Sequence, residues 1–257
     1  MPVRSFRKAS TSAPAGYFAW EAAGLRWLAS VSDGAPVVEV ESVGPDYLEL
    51  DRLESVPPDA AAAEAFGAAL ARTHAAGAPA YGSAPAGWTG DGWLGPAAEP
   101  LPLLLRPVDT WAELYAHQRI APLLRVGRDS GVFSAQDATL FERLMGRLDA
   151  GELADEEAPS CVHGDLWAGN LMWTRQGVVL IDCAAHGGHR EGDLAYLALF
   201  ATPHLEVILS AYDAQRPLAP GWRDRVALHQ VHPLMLHAVL FGGGYIGQSL
   251  AAARRYA

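Results

Sequence analysis

The feature that most constrains this chain is the segment His163-Gly-Asp165-Leu-Trp-Ala-Gly-Asn170, which is followed by a hydrophobic run that ends at Asp182. The run is rich in β-branched residues and predicts a short strand, so Asp182 would be held rigidly at a site that faces the preceding loop. This order supplies one proton acceptor and two metal ligands, as phosphoryl transfer of the kinase type requires. The sequence therefore predicts a phosphoryl-transfer site on this loop and strand.

The three polar residues of this pattern have different predicted roles. Asp165 would hold the acceptor hydroxyl in line and take its proton. Asn170, at the end of the same short loop, and Asp182 would bind Mg²⁺, because hard amide and carboxylate oxygens suit that ion. The predicted cofactors are therefore ATP and Mg²⁺.

The residues around this pattern resemble one family of kinases. His-Gly-Asp-Leu-Trp-x-Gly-Asn at 163–170, Asp-x-Ala at 182–184 and Gly-His-Arg-Glu-x-Asp-Leu-Ala at 188–195 resemble the fructosamine (ketosamine) kinases, a branch of the aminoglycoside-phosphotransferase-like kinases. The resemblance implies an ATP-dependent phosphotransferase that acts on the C3 hydroxyl of a ketosamine, the adduct of a sugar with an amine or a lysine side chain. The 3-phosphate product is unstable and frees the amine, so the implied role is deglycation.

The resemblance extends toward the N-terminus and implies a nucleotide site there. Lys8 would touch the α and β phosphates, and Glu21, on a helix, would pair with Lys8. The segment Tyr47-Leu-Glu49-Leu-Asp51 resembles the hinge strand between two lobes, so Glu49 and Asp51 are assigned to the place where backbone groups would bind adenine.

The resemblance also implies an acceptor contact and two supporting residues. Trp167 would pack its ring against the sugar portion of the acceptor. Asp193 would brace the catalytic loop by accepting backbone hydrogen bonds. His163 would position the loop through a hydrogen-bonded imidazole rather than act as the base.

The sequence departs from the family pattern in three places. Only seven residues precede Lys8, so the Gly-rich hairpin that covers the phosphates in the family is missing, and start-site choice is the favoured explanation. The family's Asp-Pro-Ala is Asp182-Cys183-Ala184 here, and His186 and Gly187 replace two aromatic residues. We expect these departures to affect ATP affinity, loop stiffness and substrate contacts.

Composition restricts the class of protein without selecting one. The 257 residues are 50% hydrophobic, which is enough for a substantial core. The net charge of -10 argues against a nucleic-acid partner, and no run approaches the roughly 20 apolar residues of a membrane span.

Two cysteines and no apolar signal region predict a cytoplasmic protein with reduced thiols. Cys and His side chains, which can bind zinc, occur in and around the catalytic pattern, but their spacing does not predict a zinc site. They are Cys161, His163, Cys183, His186 and His189.

The predicted fold class is α+β. The resemblance implies a protein-kinase-like bilobal fold, with a shortened antiparallel β lobe and hinge at residues 1–55 and a mainly helical lobe at 56–257. Strands are expected at 37–40 and 47–50, and the stretch 77–107 is expected to be an ordered functional loop. Helices are expected at 60–76, 111–129, 135–149, 191–200, 205–212 and 222–241.

Two other functions remain open at this stage. A kinase of the same superfamily that acts on an aminoglycoside, choline or another small alcohol would keep the catalytic and metal residues, but it would not explain Trp167 or the Gly-His-Arg-Glu segment. A ligand-binding protein without turnover is suggested by the missing hairpin, although such a protein has no reason to keep both base and metal ligands. The natural acceptor, small or protein-bound, is also left open.

Overall fold

The computed structural model describes residues 5–153 and 156–257. The first four residues of the predicted β lobe, and residues 154–155 of the predicted helical lobe, lie outside that description. The described residues form a small antiparallel sheet region and a larger, mainly helical region, so the expected α+β class is confirmed.

The N-terminal sheet has three strands, β1 (Ser5–Ala9), β2 (Val40–Val43) and β3 (Tyr47–Asp51), in the order β1-β3-β2. Both pairs are antiparallel, and Lys8 lies opposite Leu48. Helix α1 (Tyr17–Ala29) belongs to the same apolar cluster as Leu48 and Leu50, while Glu49 alternates to the other face. The sheet and α1 therefore place Lys8 and the helix that carries Glu21 side by side.

The strand expected at 37–40 is wrong, because β2 begins only at Val40. The preceding segment bonds to the larger region instead. Val38 N–H donates to the Leu180 carbonyl at 3.0 Å, and Leu180 N–H donates to the Pro36 carbonyl at 2.8 Å. Local alternation indicated an extended segment, but only the tertiary structure determines which partner it pairs with.

The larger region contains the remaining elements. The helices are α2 (Ala60–Ala75), α3 (Trp111–Glu113), α4 (Ala121–Asp129), α5 (Ala135–Asp149), α6 (Arg190–Leu197), α7 (Leu205–Gln215), α8 (Trp222–Phe241) and α9 (Gly244–Arg254). The strands form three pairs: β4 (Gly92–Leu94) with β5 (Leu101–Leu103), β6 (Ser160–Val162) with β9 (His186–Gly188), and β7 (Leu171–Thr174) with β8 (Gly177–Leu180).

Local signals explain where several of these helices begin. Asp59 caps α2 by accepting hydrogen bonds from the backbone N–H groups of Ala61 and Ala62. Ser134 and Asp137 form a capping box at the start of α5. Both starts agree with the predicted helices at 60–76 and 135–149.

Other features were not predicted. A π-helical segment, Leu114–Ile120, joins α3 to α4 within the predicted helix at 111–129. Helix α9 follows α8 after Gly242 and Gly243, both of which have positive φ angles. The expected ordered loop at 77–107 contains the β4–β5 hairpin, and its Trp88 and Trp93 pack against the main apolar core. No helix within 5–153 and 156–257 has the length and apolar character needed to cross a membrane.

Candidate active site

The predicted catalytic loop runs from β6 to β7 and turns sharply at Gly164. Gly164 has a φ of 81°, and a Cβ atom there would lie 2.3 Å from the carbonyl oxygen of Ala184. Both the backbone conformation and the close approach therefore require glycine. The turn brings Asp165 next to the segment that follows β8.

Asp193, in the first turn of α6, accepts hydrogen bonds from three donors. They are the backbone N–H groups of His163, at 2.7 Å, and Gly164, at 3.0 Å, and the Nε2 atom of His74, at 3.0 Å. Burial alone would raise the pKa of Asp193, but the hydrogen bond from His74 and the neighbouring histidines hold the pKa below its usual value. Asp193 is thus an ionised anchor beneath the loop.

The His163 imidazole connects the loop to the strand that carries Asp182. Its Nε2 atom donates to the carbonyl of Ile181 at 2.9 Å, and its Nδ1 atom accepts the N–H of Asp165 at 3.3 Å. A carbonyl can only accept, so the proton lies on Nε2. Both ring nitrogens are therefore used in positioning the loop.

Asn170 and Asp165 are held together by the Asn170 amide group. Asn170 Nδ2 donates to the Asp165 carbonyl at 2.7 Å and to Asp165 Oδ2 at 2.9 Å, and lies 3.3 Å from the carbonyl of Asp182. Because the amide nitrogen is turned toward these acceptors, the Asn170 carbonyl oxygen is the atom left to bind a metal. Burial raises the pKa of Asp165, and His163, Tyr196 and Asn170 oppose that rise.

Lys8 lies between two carboxylates. Its Nζ atom is 2.8 Å from Glu21 Oε1 and 3.0 Å from Asp182 Oδ1. Burial acts to lower the pKa of Lys8, but the charges of Glu21 and Asp182 outweigh it and raise the pKa, so the ammonium group stays protonated. Lys8 is also the only lysine in the sequence.

Asp182 has a φ of 55°, in the left-handed region that few residues other than glycine adopt. Its side chain is 43% exposed and points into the cleft with one oxygen bonded to Lys8. The carboxylate oxygens of Asp182 and the amide oxygen of Asn170 make a donor set that suits Mg²⁺.

One cleft of about 450 Å³ brings the predicted residues together. Six predicted site residues line it: Lys8, Glu21, Asp165, Trp167, Asn170 and Asp182. Its opposite wall is the turn after β4, where the Tyr17 hydroxyl donates to the Gly95 carbonyl at 2.9 Å. Sequence reasoning missed Tyr17 and the Gly95–Ala97 wall, although the ordered-loop prediction for 77–107 pointed to that segment.

A second, more apolar pocket of about 290 Å³ opens beside β3. Asp182 lines both spaces, and the other lining residues are Phe6, Val38, Leu50, Asp51, Arg52, Leu53, Met172 and Ile181. The predicted nucleotide-site residue Asp51 is among them.

The side chain of Glu49, a residue assigned to the adenine site through its backbone, bonds within the N-terminal sheet. Its carboxylate accepts hydrogen bonds from Ser5 Oγ at 2.8 Å and Ser42 Oγ at 3.0 Å. Side chains alternate along β3, so Glu49 faces away from the side that Leu48 and Leu50 share with α1. The Glu49 side chain therefore braces the sheet, and the assignment of its backbone to the adenine site stays a prediction.

A third pocket, of about 480 Å³, shares Asp165 with the cleft and is mainly aromatic. Its rings come from the catalytic loop, α6 and its C-terminal side, α8 and α9, and are Trp167, Tyr196, Phe200, His237, Phe241 and Tyr245. The Trp167 ring lies over Gly169, where a Cβ atom would be 2.3 Å from the ring. It also contacts the Phe200 ring edge-on, with 5.6 Å between the ring centroids. Only glycine at position 169 therefore leaves room for the Trp167 ring.

Among the described residues, the Cys and His side chains named above as possible zinc ligands do not all lie together. Among the described residues, those with ligand atoms close enough to share an ion are His189, Glu191 and His229. Arg225 Nε already donates to Glu191 Oε2 at 2.8 Å, and neither cysteine is in this group. Cys161 and Cys183 are buried free thiols, and burial raises the pKa of Cys161 to about 12.

Comparisons with known proteins agree with this geometry. The fructosamine kinase family model matches residues 3–256. A Lactiplantibacillus plantarum protein named probable ketoamine kinase is 32% identical over 231 residues, which are 89% of this chain and 78% of that protein. A crystal structure assigned as a fructosamine-3-kinase from Thermobifida fusca is 44% identical, with a TM-score of 0.89 over 98% of this chain and 85% of that chain.

A more distant comparison concerns the fold alone. The aminoglycoside phosphotransferase APH(4)-Ia, in a ternary complex with AMP-PNP and hygromycin B, is 16% identical with a TM-score of 0.62. The match covers 100% of this chain and 88% of that chain. The chain thus has the kinase-like fold of the aminoglycoside phosphotransferases.

Proposed function

Since this chain belongs to the fructosamine kinase family and is therefore an ATP-dependent kinase, we propose that it phosphorylates the C3 hydroxyl of a ketosamine. The observation that carries the proposal is the position of Asp165. This carboxylate lines both the cleft that contains Lys8 and Asp182 and the aromatic pocket, and Trp167 also lines both. A phosphate donor and an acceptor alcohol bound in these two spaces would meet at Asp165.

The proposed reaction assigns one chemical task to each polar residue. The acceptor oxygen attacks the γ-phosphorus, its proton passes to Asp165, and the bond from the γ-phosphorus to the bridging oxygen of ADP breaks. Asn170 and Asp182 would hold Mg²⁺, which when bound neutralises phosphate charge. Lys8 would exchange part of its contact with Asp182 for the α and β phosphates.

The proposed adenine site is the apolar pocket beside β3. Strand β3 is paired on both edges, with β1 and β2, so its backbone groups are largely engaged in the sheet. The backbone of Arg52 and Leu53, which follow the strand and line the pocket, is better placed to hydrogen-bond adenine. This position is consistent with a hinge between proposed lobes at residues 1–55 and 56–257.

The proposed acceptor site is the aromatic pocket, with Trp167 against the sugar. Trp167 is 37% exposed, so its ring has a face available to a ligand. The acceptor would be a ketosamine, either free or formed on a protein lysine. Decomposition of its 3-phosphate would release the amine, which makes deglycation the proposed role.

The proposal is tested by incubating the protein with Mg·ATP and a fructosyl or ribulosyl amine. We expect ADP release together with a phosphorylated acceptor, which mass spectrometry detects and fragmentation locates at C3. The matched acceptor controls are free fructose, which lacks the amine, and hygromycin B, an aminoglycoside.

The outcomes separate the candidate functions. Phosphorylation of the ketosamine well above both controls supports the proposal. Phosphorylation of the aminoglycoside but not of the ketosamine would replace it with the aminoglycoside alternative. Lys8 is the only lysine in the sequence. Protection of its amine by Mg·ATP against an acylating reagent therefore tests the nucleotide site independently.

A further inference from the structure

His237, on α8, is the polar member of the ring cluster that lines the aromatic pocket. Four other rings pack around its imidazole, with centroids 5.0 to 6.4 Å away; they are Tyr196, Phe200, Phe241 and Tyr245. These rings come from α6, the segment that follows it, α8 and α9. Packing from several elements leaves the imidazole little freedom to turn.

One ring nitrogen of His237 is already bonded within α8. Its Nδ1 atom lies 2.7 Å from the carbonyl oxygen of Pro233, one turn earlier on the helix. A carbonyl oxygen can only accept, so Nδ1 carries the proton and, in the neutral ring, Nε2 keeps its lone pair. Within residues 5–153 and 156–257, no group forms a hydrogen bond with Nε2. Nε2 is therefore a hydrogen-bond acceptor that is left for a ligand.

The side chains that line this pocket favour a cation. Of its described lining residues, Asp165 is the acidic one, and none is a lysine or an arginine. The faces of tryptophan, tyrosine and phenylalanine rings also attract a positive charge. The pocket therefore suits an acceptor that carries a positively charged group.

A ketosamine would bring such a group into the pocket. Its amine nitrogen is protonated near neutral pH, as alkylamines are, and three carbon atoms separate this nitrogen from the C3 hydroxyl. When the hydroxyl is held at Asp165, the amine must therefore lie close by, in the same pocket. Asp165 is itself engaged, because it would take the hydroxyl proton and already accepts a hydrogen bond from Asn170. The ammonium group needs a different acceptor.

We propose that His237 Nε2 accepts a hydrogen bond from the ammonium group of the ketosamine and so selects acceptors that carry an amine. The proposal rests on the proposed function, because it takes the aromatic pocket as the acceptor site. His237 binds the amine, whereas Trp167 is proposed for the sugar and Asp165 for the C3 hydroxyl. Each part of the acceptor then has its own partner.

The test is His237→Phe, which keeps an aromatic ring in the cluster and removes the acceptor nitrogen. The measured quantity is the ratio of kcat/KM for a fructosyl amine to kcat/KM for free fructose, which lacks the amine. We expect this ratio to fall about tenfold or more, because hydrogen bonds that involve a charged group are among the stronger ones. KM for ATP should not change.

His117→Phe is the matched control, because it makes the same change on the surface. The His117 side chain is 52% exposed, pairs with Asp149 and does not line the pocket. The ratio for this variant should equal that of the unaltered protein. In His237→Phe, an equal loss of kcat/KM for both acceptors would show that His237 supports the pocket without recognising the amine, and that result would overturn the proposal.

A second measurement separates this proposal from the proposed function and needs no variant. Nitrogen-15 NMR of the His237 ring in the unaltered protein shows which ring nitrogen carries the proton. We expect the proton on Nδ1, and a shift of the Nε2 signal when a fructosyl amine is added but not when fructose is added. A proton on Nε2, or a response that does not depend on the amine, would overturn the proposal even if ketosamines are phosphorylated. An amine-specific shift without phosphorylation would support it and reject the proposed function.

Discussion

At the scale of single residues, the carboxylates of the candidate active site are held by donors rather than by salt bridges alone. Asp193 accepts two backbone N–H groups and a histidine N–H, and Asp165 accepts the amide of Asn170. Glu21 and Asp182 are both paired with the same cation, Lys8. Hydrogen bonds fix direction as well as charge, so this arrangement determines where each carboxylate points.

Asp165→Asn should remove most turnover and leave nucleotide binding nearly unchanged. The amide keeps the size of the carboxylate but cannot take the acceptor proton, and general base catalysis is worth about 10²- to 10⁴-fold. We expect kcat to fall within that range, with the Kd for Mg·ATP, measured by calorimetry, changed less than about twofold. Full activity in this variant would contradict the assignment of the base.

Asp193→Asn should destabilise the protein. An asparagine offers one oxygen to three converging donors, so at least one buried N–H loses its acceptor, at a cost of about 1–3 kcal/mol. Urea denaturation measures this change in the free energy of unfolding.

Asp59→Asn is the matched control for that measurement. Asp59 also accepts two backbone N–H groups, but it is an exposed helix cap, and asparagine caps helices about as well as aspartate. Equal stability of the two variants would show that Asp193 is not the buried anchor described above.

At the scale of elements, the contact between α2 and α7 depends on a glycine. A Cβ atom at Gly67 would lie 2.2 Å from the carbonyl oxygen of Ile208, and this backbone cannot move without displacing α7. Helix α2 also carries His74, which reaches Asp193. The spacing of these two helices therefore affects the anchor of the catalytic loop.

Gly67→Ala should destabilise the protein by about 1–3 kcal/mol, the usual range for overpacking. Gly146→Ala is the control, because Gly146 is an exposed position of α5 with no atom near its Cβ site. There, alanine should stabilise by about 0.5–1 kcal/mol through its better helix propensity. Thermal unfolding that shifts in the same direction for both variants would contradict the packing argument.

The sequence predicted helices well where local signals were strong. The predicted helices at 135–149 and 222–241 coincide with α5 and α8. It missed β4, β5, β6, β7, β9 and α9, which are short or glycine-rich. Strands of three residues are too short to show the alternation by which a strand is recognised in a sequence.

At the scale of the whole molecule, the bond from Lys8 to Asp182 joins the N-terminal sheet to the larger region across 174 residues of sequence. The same cleft contains Asn170, so a bound nucleotide would contact both regions. We therefore expect Mg·ATP to raise the free energy of unfolding of both regions together. Linkage predicts about 2.7 kcal/mol at a concentration of 100 times Kd, visible as a higher Tm.

The stabilisation by ATP should depend on Mg²⁺ and on Asp182. We expect EDTA, and separately Asp182→Asn, to remove most of the increase in Tm, because each removes part of the metal bridge to the phosphates. Asp165→Asn is the control and should keep the increase. A Tm that rises equally with ATP in EDTA would argue against Asp182 as a metal ligand.

The sequence by itself determined which side chains could form the candidate active site, because the spacing of His163, Asp165, Asn170 and Asp182 is local and each side chain has a distinct chemical capacity. The tertiary structure decided what depends on distant parts of the chain. It turned the Glu49 side chain away from the cleft and supplied the wall at Gly95–Ala97. Such contacts depend on how elements pack, and packing is set by the whole chain rather than by any local pattern.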